Sequence, residues 1–286
     1  MNHILPDNKV SSLVTYADSR LGHLYEERER KNIITELFRK IMNWSRADLA
    51  LRRDDLISES EMLRLHFAIK RLHAGEPMQY VFGETWFYGM AFSVNSAVLI
   101  PRPETEELVK YVIDHCHYYD PRIVDIGTGS GCIAISLKKH KTEAEVVAID
   151  VSHAALEVAR TNARQLEADV QFVEQDILEK GLDGMWDVIV SNPPYIPQSE
   201  SASMRSSVVN HEPSLALFVP NGEAMLFYNR LLDLCLIHLK RDGMGCFELH
   251  EDFSKEFSEL AVQKGFTAEV YKDMQGKPRM GIVKRS

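Results

Sequence analysis

Ile123-Val124-Asp125-Ile126-Gly127-Thr128-Gly129-Ser130-Gly131-Cys132 is the stretch whose reading decides the fold. A short apolar run, interrupted only by Asp125, enters three glycines spaced by single residues, and a helical pattern follows over Ile133–Lys139. Glycines there permit a sharp turn and let the backbone approach a ligand closely. The next strand, Glu145–Asp150, ends on a carboxylate that can accept both ribose hydroxyls of a nucleoside. Strand, loop, helix, strand and terminal Asp together point to a bound nucleoside rather than a bare strand–helix turn.

Outward from this unit the pattern repeats. Val170–Asp176, Trp186–Asn192 and Met244–Leu249 read as further strands, with helical segments such as Ser152–Leu166, capped by Ser152, between most of them. Such alternation predicts a parallel sheet with helices on both faces. Phe266–Lys272 and Arg279–Lys284, joined by a turn at Gln275-Gly276, add an antiparallel pair at one edge. Towards the N-terminus the period changes. Ile33, Ile34, Leu37, Phe38, Ile41 and Met42 recur at helical spacing. Ser58 and Glu61 form a capping box ahead of the stripe Leu65, Ile69 and Leu72, and Gly75 and Pro77 end that helix. Residues 1–83 are therefore expected to be a helical bundle. The aromatic and glycine-rich segment 84–95 reads as a β-hairpin joining it to the rest. Pro101, Pro103 and the acidic run Glu104–Glu107 open a helix.

The ligand can be narrowed. The loop is Gly-x-Gly-x-Gly, with Cys132 where a dinucleotide site has its last Gly or Ala. Asp125 would repel a pyrophosphate but suits a cation, such as the ammonium and sulfonium of S-adenosylmethionine. The segment resembles the first motif of the class I methyltransferases. In that family the carboxylate at the end of the third strand, here Asp176, contacts the adenine edge, and Ile177 follows as an apolar contact. A helix N-cap is almost as good an account of Asp176 alone.

Ser191-Asn192-Pro193-Pro194-Tyr195 leaves the strand that starts at Trp186. The two prolines stiffen the turn and lack N–H groups, while their carbonyls remain as acceptors. Asn192 adds a side-chain carbonyl and Tyr195 a flat ring. Such a ledge suits a planar group with NH₂ donors, and Asn-Pro-Pro-Tyr is shared by methyltransferases of adenine and of glutamine. Both nitrogens are poor nucleophiles. Breaking amide conjugation outright would cost about 18–20 kcal/mol. A net hydrogen bond supplies about 0.5–1.5 kcal/mol, and alignment of the reactants about 7–11 kcal/mol. Catalysis by positioning is therefore expected, with Asn192 and the Pro193 carbonyl holding the two N–H bonds and no strong general base required.

Net charge is −9 from 33 basic and 42 acidic residues, which disfavours a non-specific nucleic-acid binder. No apolar run approaches the roughly 18 residues of a membrane span. Met1–Val10 carries no cleavage signature. The four cysteines, Cys116, Cys132, Cys235 and Cys246, are scattered and read as reduced thiols of a cytoplasmic protein. His115-Cys116-His117 matches no standard zinc spacing and reads as a helix end; no metal is expected. The charge run Glu26–Lys31 reads as a solvated helix face.

A more specific resemblance spans residue 79 to the end. Gln79-Tyr80-Val81-Phe82-Gly83, Leu99-Ile100-Pro101-Arg102-Pro103-Glu104-Thr105-Glu106, the Gly127–Gly131 loop, Asn192–Tyr195, His211-Glu212-Pro213 with Leu215-Ala216-Leu217, and Lys272-Asp273 to Arg279 resemble the peptide chain release factor glutamine methyltransferases, the HemK/PrmC family. The resemblance implies an α/β fold: a class I, Rossmann-like seven-stranded methyltransferase domain (96–286), an N-terminal helical, release-factor-binding domain (1–83) and a β-hairpin linker (84–95). It implies methylation of the glutamine side-chain nitrogen in the Gly-Gly-Gln motif of release factors, with S-adenosylmethionine as donor and S-adenosylhomocysteine as product. By position, Gly127, Thr128, Gly129, Ser130, Gly131, Asp150, Asp176, Ile177 and Asn192 would bind cofactor. Asn192, Pro193, Pro194 and Tyr195 would hold the glutamine, with Asn192, Pro193 and Tyr195 as the catalytic set. A monomer acting on a protein, without direct nucleic-acid or membrane contact, is expected. The chain departs from the family at Ile177, where many members have an aromatic, and at Leu249-His250-Glu251-Asp252, where a Gly and later a Gln are usual. The competing readings are a DNA adenine methyltransferase, which must grip DNA and flip a base, and a catalytically dead methyltransferase-like scaffold.

Overall fold

The structure, a computed structural model, describes residues 7–285. The first residues of Met1–Val10, where no cleavage signature is expected, lie outside the described residues. The chain divides into two compact units, residues 1–83 with 206–211, and residues 84–205 with 212–286.

The first unit is helical. Its helices are α1 (Val10–Leu21), α2 (Glu27–Met42), α3 (Arg46–Leu51), α4 (Glu59–His73) and α5 (Met78–Phe82). Periodic apolar faces meet in one core, with Leu13, Leu21, Ile33, Leu37, Phe38, Leu65, Ile69 and Leu72 all buried. The capping box forms: Glu61 N donates to Ser58 Oγ at 3.3 Å and Ser58 N to Glu61 Oε2 at 2.8 Å. Ser45 and Asp48 make a second box at the start of α3. Residues Glu26–Asn32 are exposed or half-buried, as a solvated helix face requires.

The second unit opens with a hairpin of β1 (Glu84–Phe87) and β2 (Met90–Ser93). Its two-residue turn places Tyr88 and Gly89 at φ +48° and +74°, the geometry that matches strand twist in tight hairpins. Phe87 and Phe92 are buried in this unit's core. Helix α6 (Pro103–His115) follows with Pro103 in its first turn. Its end leaves His115 and His117 exposed and Cys116 buried. The Rossmann-like body then runs β3 (Arg122–Ile126), α7 (Cys132–His140), β4 (Glu145–Asp150), α8 (His153–Gln165), β5 (Gln171–Glu174) and β6 (Trp186–Ser191). Two short strands, β7 (Ile196–Pro197) and β8 (Phe218–Val219), pair in parallel. Between them lie α9 (Ser206–His211), which groups with the first unit, and α10 (Ser214–Leu217). Helix α11 (Leu226–His238), β9 (Leu239–Glu248), α12 (Ser254–Gln263), β10 (Phe266–Lys272) and β11 (Pro278–Arg285) complete the chain.

The seven-stranded sheet has the order β10-β11-β9-β6-β3-β4-β5. β3, β4, β5, β6 and β9 are mutually parallel, and β11 pairs antiparallel with both β9 and β10. Thus β10 is the edge and β11 lies inside the sheet. β9 begins five residues before the expected Met244 because Leu239 pairs with Trp186 across an irregularity in the ladder. β5 is shorter than Val170–Asp176, which leaves Asp176 in the loop beyond it. From β3 the chain winds one way to β4 and β5, then returns to place β6 on the other side of β3. That reversal opens a crevice beyond the carboxyl ends of β3 and β6, where α/β sheets of this kind bind ligands.

Candidate active site

Two segments leave the sheet at this crevice. Beyond β3 the glycine loop is held by its backbone N–H groups against the end of β4. Gly127 N and Thr128 N both donate to the Ile149 carbonyl, at 2.8 and 3.0 Å, and Gly129 N donates to Asp150 Oδ2 at 2.8 Å. Gly131, at φ +81°, starts α7; a Cβ there would lie 2.9 Å from Ile135 Cδ1 and 3.2 Å from Ala159 Cβ. Gly129, at φ +55°, would meet nothing within 4 Å. One glycine therefore serves packing and the other faces open space. Buried Asn162 ties the loop to the hairpin: its Nδ2 donates to the Ser130 and Ser93 carbonyls, and its Oδ1 accepts from Ser93 N.

Asp125 lies beneath the loop, fully buried. Its Oδ2 accepts from Thr128 Oγ1 at 2.6 Å and from Ala134 N at 3.2 Å, while Oδ1 has no partner among the described residues. Burial pushes its carboxyl up to about 7. Asp125 does not line the crevice, so any pull on a cation acts through the loop rather than by direct contact. Asp150, at the end of β4, does line it, with its Oδ1 also accepting from Ser152 N at 2.9 Å. Burial raises its carboxyl as well.

The crevice holds a cavity of about 260 Å³. Gly127, Thr128, Gly129, Ser130, Asp150, Asp176, Ile177, Asn192, Pro193 and Pro194 all line it; Gly131 and Tyr195 do not. Asp176 accepts from Leu178 N at 2.8 Å through Oδ1, so it both braces its own turn and faces the cavity. Ile177 is buried, and its carbonyl accepts from Arg230 Nε.

Asn192, just past β6, donates from Nδ2 to Thr105 Oγ1 at 3.3 Å. Thr105 Oγ1 donates to Glu248 Oε2 at 2.6 Å, and the Tyr195 hydroxyl donates to Glu248 Oε1 at 3.1 Å. Tyr195 is thus held by its hydroxyl against the end of β9, with its ring edge-to-face with His250. The Glu248 backbone carbonyl accepts from Tyr228, whose hydroxyl also accepts from His250 N. Leu249 is buried, and past it His250 caps a 3-10 turn over Glu251–Phe253 by accepting from Asp252 N at 3.2 Å.

Comparison with known proteins gives this site its context. A methyltransferase small domain matches residues 105–249, and a PrmC N-terminal domain matches residues 12–83. The release factor glutamine methyltransferase of Flavobacterium psychrophilum is 39% identical over 269 residues, which is 91% of this chain and 93% of that protein. The chain belongs to the release factor glutamine methyltransferase family. The release factor glutamine methyltransferase of Bacteroides thetaiotaomicron is 36% identical over 282 residues, 96% of this chain and 100% of that one. A methyltransferase from Pyrococcus furiosus shares the fold, with a TM-score of 0.51 at 18% identity over 80% of this chain and all of that chain.

As a release factor glutamine methyltransferase the chain uses S-adenosylmethionine, and the crevice fits that group. It offers open space at Gly129, carboxylates at Asp150 and Asp176, and the apolar Ile177 and Phe227. Among the described residues no group of three or more His, Cys, Asp or Glu could hold a metal, and no helix is long and apolar enough to cross a membrane. Sequence reading assigned no role to Thr105, Glu248 or Glu212. Buried Glu212 accepts from Arg102 Nη2 at 2.7 Å and Ile100 N at 3.1 Å, which fixes the Pro101 wall of the cavity. The signal for it was the joint presence of Arg102 and Glu212 in family-like segments far apart in sequence.

Proposed function

We propose that this chain methylates the side-chain amide nitrogen of the glutamine in the Gly-Gly-Gln motif of peptide chain release factors. The observation that carries the reading is the meeting of two segments in one cavity: the glycine loop with Asp150, and the acceptor ledge Asn192-Pro193-Pro194. Asp150 would hold the ribose hydroxyls of S-adenosylmethionine, Asp176 and Ile177 its adenine, and residues 127–130 with Asn192 its amino acid end, Gly131 serving the loop by its packing. When bound, that group supplies a methyl on a sulfonium, a good leaving group, and departs as S-adenosylhomocysteine.

The chain's own residues position the acceptor. Asn192 Oδ1 and the Pro193 carbonyl accept the two N–H bonds of the glutamine amide. Held this way, the amide nitrogen would face the methyl group that S-adenosylmethionine would supply, and the N–H proton released on transfer would pass to solvent. Two hydrogen bonds cannot localise the lone pair, so alignment supplies most of the acceleration. Pro194 stiffens the ledge and Tyr195 shapes it from behind. Residues 1–83 would bind the body of the release factor, the chain acting as a monomer in the cytoplasm without metal or direct nucleic-acid contact.

Net charge of −9 and the matched relatives favour this reading over a DNA adenine methyltransferase, and the intact loop, Asp150 and ledge favour it over a dead scaffold. Mass spectrometry of a release factor co-expressed with this chain should find one added methyl on the Gly-Gly-Gln glutamine. Methyl transfer to duplex DNA alone would overturn the reading. Asn192→Ala should abolish transfer while the protein stays folded.

A further inference from the structure

We propose that Thr105 and Glu248 are positioning residues that set which face of the Asn192 amide looks into the cavity. The proposal rests on the reading that Asn192 accepts an N–H bond from the substrate amide. An asparagine amide carries an acceptor on one side and two donors on the other, and turning it over exchanges them. Only the carbonyl can receive an NH₂ group, so a turned Asn192 would present donors to donors.

The chain of contacts removes that ambiguity. Burial pushes the Glu248 carboxyl up, while the Thr105 and Tyr195 hydroxyls and the charge of Arg279 favour its ionised form, which only accepts. Both oxygens of buried Glu248 are occupied by hydroxyls, Thr105 on one and Tyr195 on the other. The Thr105 proton is therefore committed to Glu248, at 2.6 Å, and its oxygen is left only as an acceptor. Asn192 can satisfy it only with Nδ2, as observed at 3.3 Å, so Oδ1 is kept for the other side. Thr105 is itself 2% exposed and lines the cavity, so water has little room to take over its role. Glu248 and Thr105 are 143 residues apart, on the end of β9 and the first turn of α6. The same carboxylate anchors the Tyr195 hydroxyl, so one buried group sets both Asn192 and Tyr195.

The test uses the full chain with whole release factor. Thr105→Val keeps the shape and removes the hydroxyl; kcat should fall about ten- to a hundred-fold, the effect of losing one buried hydrogen bond in the transition state. The dissociation constant for S-adenosylmethionine, read by calorimetry, should change by a much smaller factor than kcat, because Asn192 is only one of several residues around its amino acid end. Thr105→Ser restores the hydroxyl and should recover most of kcat. Glu248→Gln has one acceptor where two are needed and should also lower kcat. A merely structural role would not split kcat from cofactor affinity in this way. If Asn192→Ala is inactive while Thr105→Val turns over like wild type, the positioning role is refuted and the function stands. If Asn192→Ala itself retains turnover, the reading beneath it fails. Should Thr105→Val not fold, Glu248→Gln decides: wild-type kcat in that variant overturns the proposal.

Discussion

Replacing Asp125 by Asn separates the stability of this fold from its buried charge. In the folded chain burial raises the Asp125 carboxyl from 3.8 to about 7. The folded state therefore holds the proton more tightly than the unfolded chain. The stability this one carboxyl contributes is full below pH 3.8 and is lost as pH rises to about 7. At 1.36 kcal/mol per tenfold in proton affinity the whole loss is about 4 kcal/mol, of which about 2.7 kcal/mol falls above pH 5. The asparagine amide can keep the two bonds that Oδ2 accepts from Thr128 Oγ1 and Ala134 N, and it does not titrate. The stability of the variant relative to wild type should thus rise by about 2.7 kcal/mol from pH 5 to pH 8, measured by urea unfolding of the ligand-free protein. Glu248, also raised by burial, titrates in both proteins and cancels in the difference; Asp150, whose charge adds to the Asp125 shift, cancels only in part. A gap that stays constant over this range would refute the reasoning. The substitution also removes negative charge beneath the loop, so S-adenosylmethionine should bind more weakly even as the pH-dependent loss of stability disappears, a common trade at binding sites.

Other substitutions probe separate parts. Gly131→Ala forces a left-handed residue and a 2.9 Å approach to Ile135 Cδ1; it should cost about 2–4 kcal/mol in denaturant unfolding. Asp150→Ala removes the carboxylate that receives Gly129 N and Ser152 N; calorimetry should show affinity for S-adenosylmethionine weakened at least about tenfold. Ser58→Ala breaks the capping box at the start of α4 and should destabilise the helical unit by about 1 kcal/mol; an unchanged unfolding midpoint would contradict this. Deleting residues 1–75 should abolish methylation of whole release factor yet spare cofactor binding, read by the same calorimetry.

What could be read from sequence was local. The glycine loop announces itself because positive φ selects glycine over a few adjacent residues, and Asn192–Tyr195 because two prolines in a row admit few conformations. Strand boundaries followed apolar runs and so missed the polar start of β9 at Lys240–Asp242, which only the ladder with β6 reveals. The Thr105–Glu248 bond was not legible, since no periodicity links a first-turn hydroxyl to a strand end 143 residues away. Asn162 was equally silent: it lies on a helix whose other buried residues are Ala, Leu and Val, yet it joins loop and hairpin. Asp125 and Tyr195 were legible as residue types but not as orientations, because burial beneath the loop and the bond to Glu248 are set by tertiary packing.

The inner position of β11 bears on how the molecule is made. Met280 is the ladder partner of Glu248, so the strand that flanks the end of β9 comes from residues 278–285. During synthesis the ribosome delivers the glycine loop and the ledge long before that strand. Until it is threaded between its neighbours the carboxylate that orders Thr105 and Tyr195 has an unfinished wall, and a nascent chain stalled before Pro278 would carry every cofactor-lining residue without a settled place for the substrate amide.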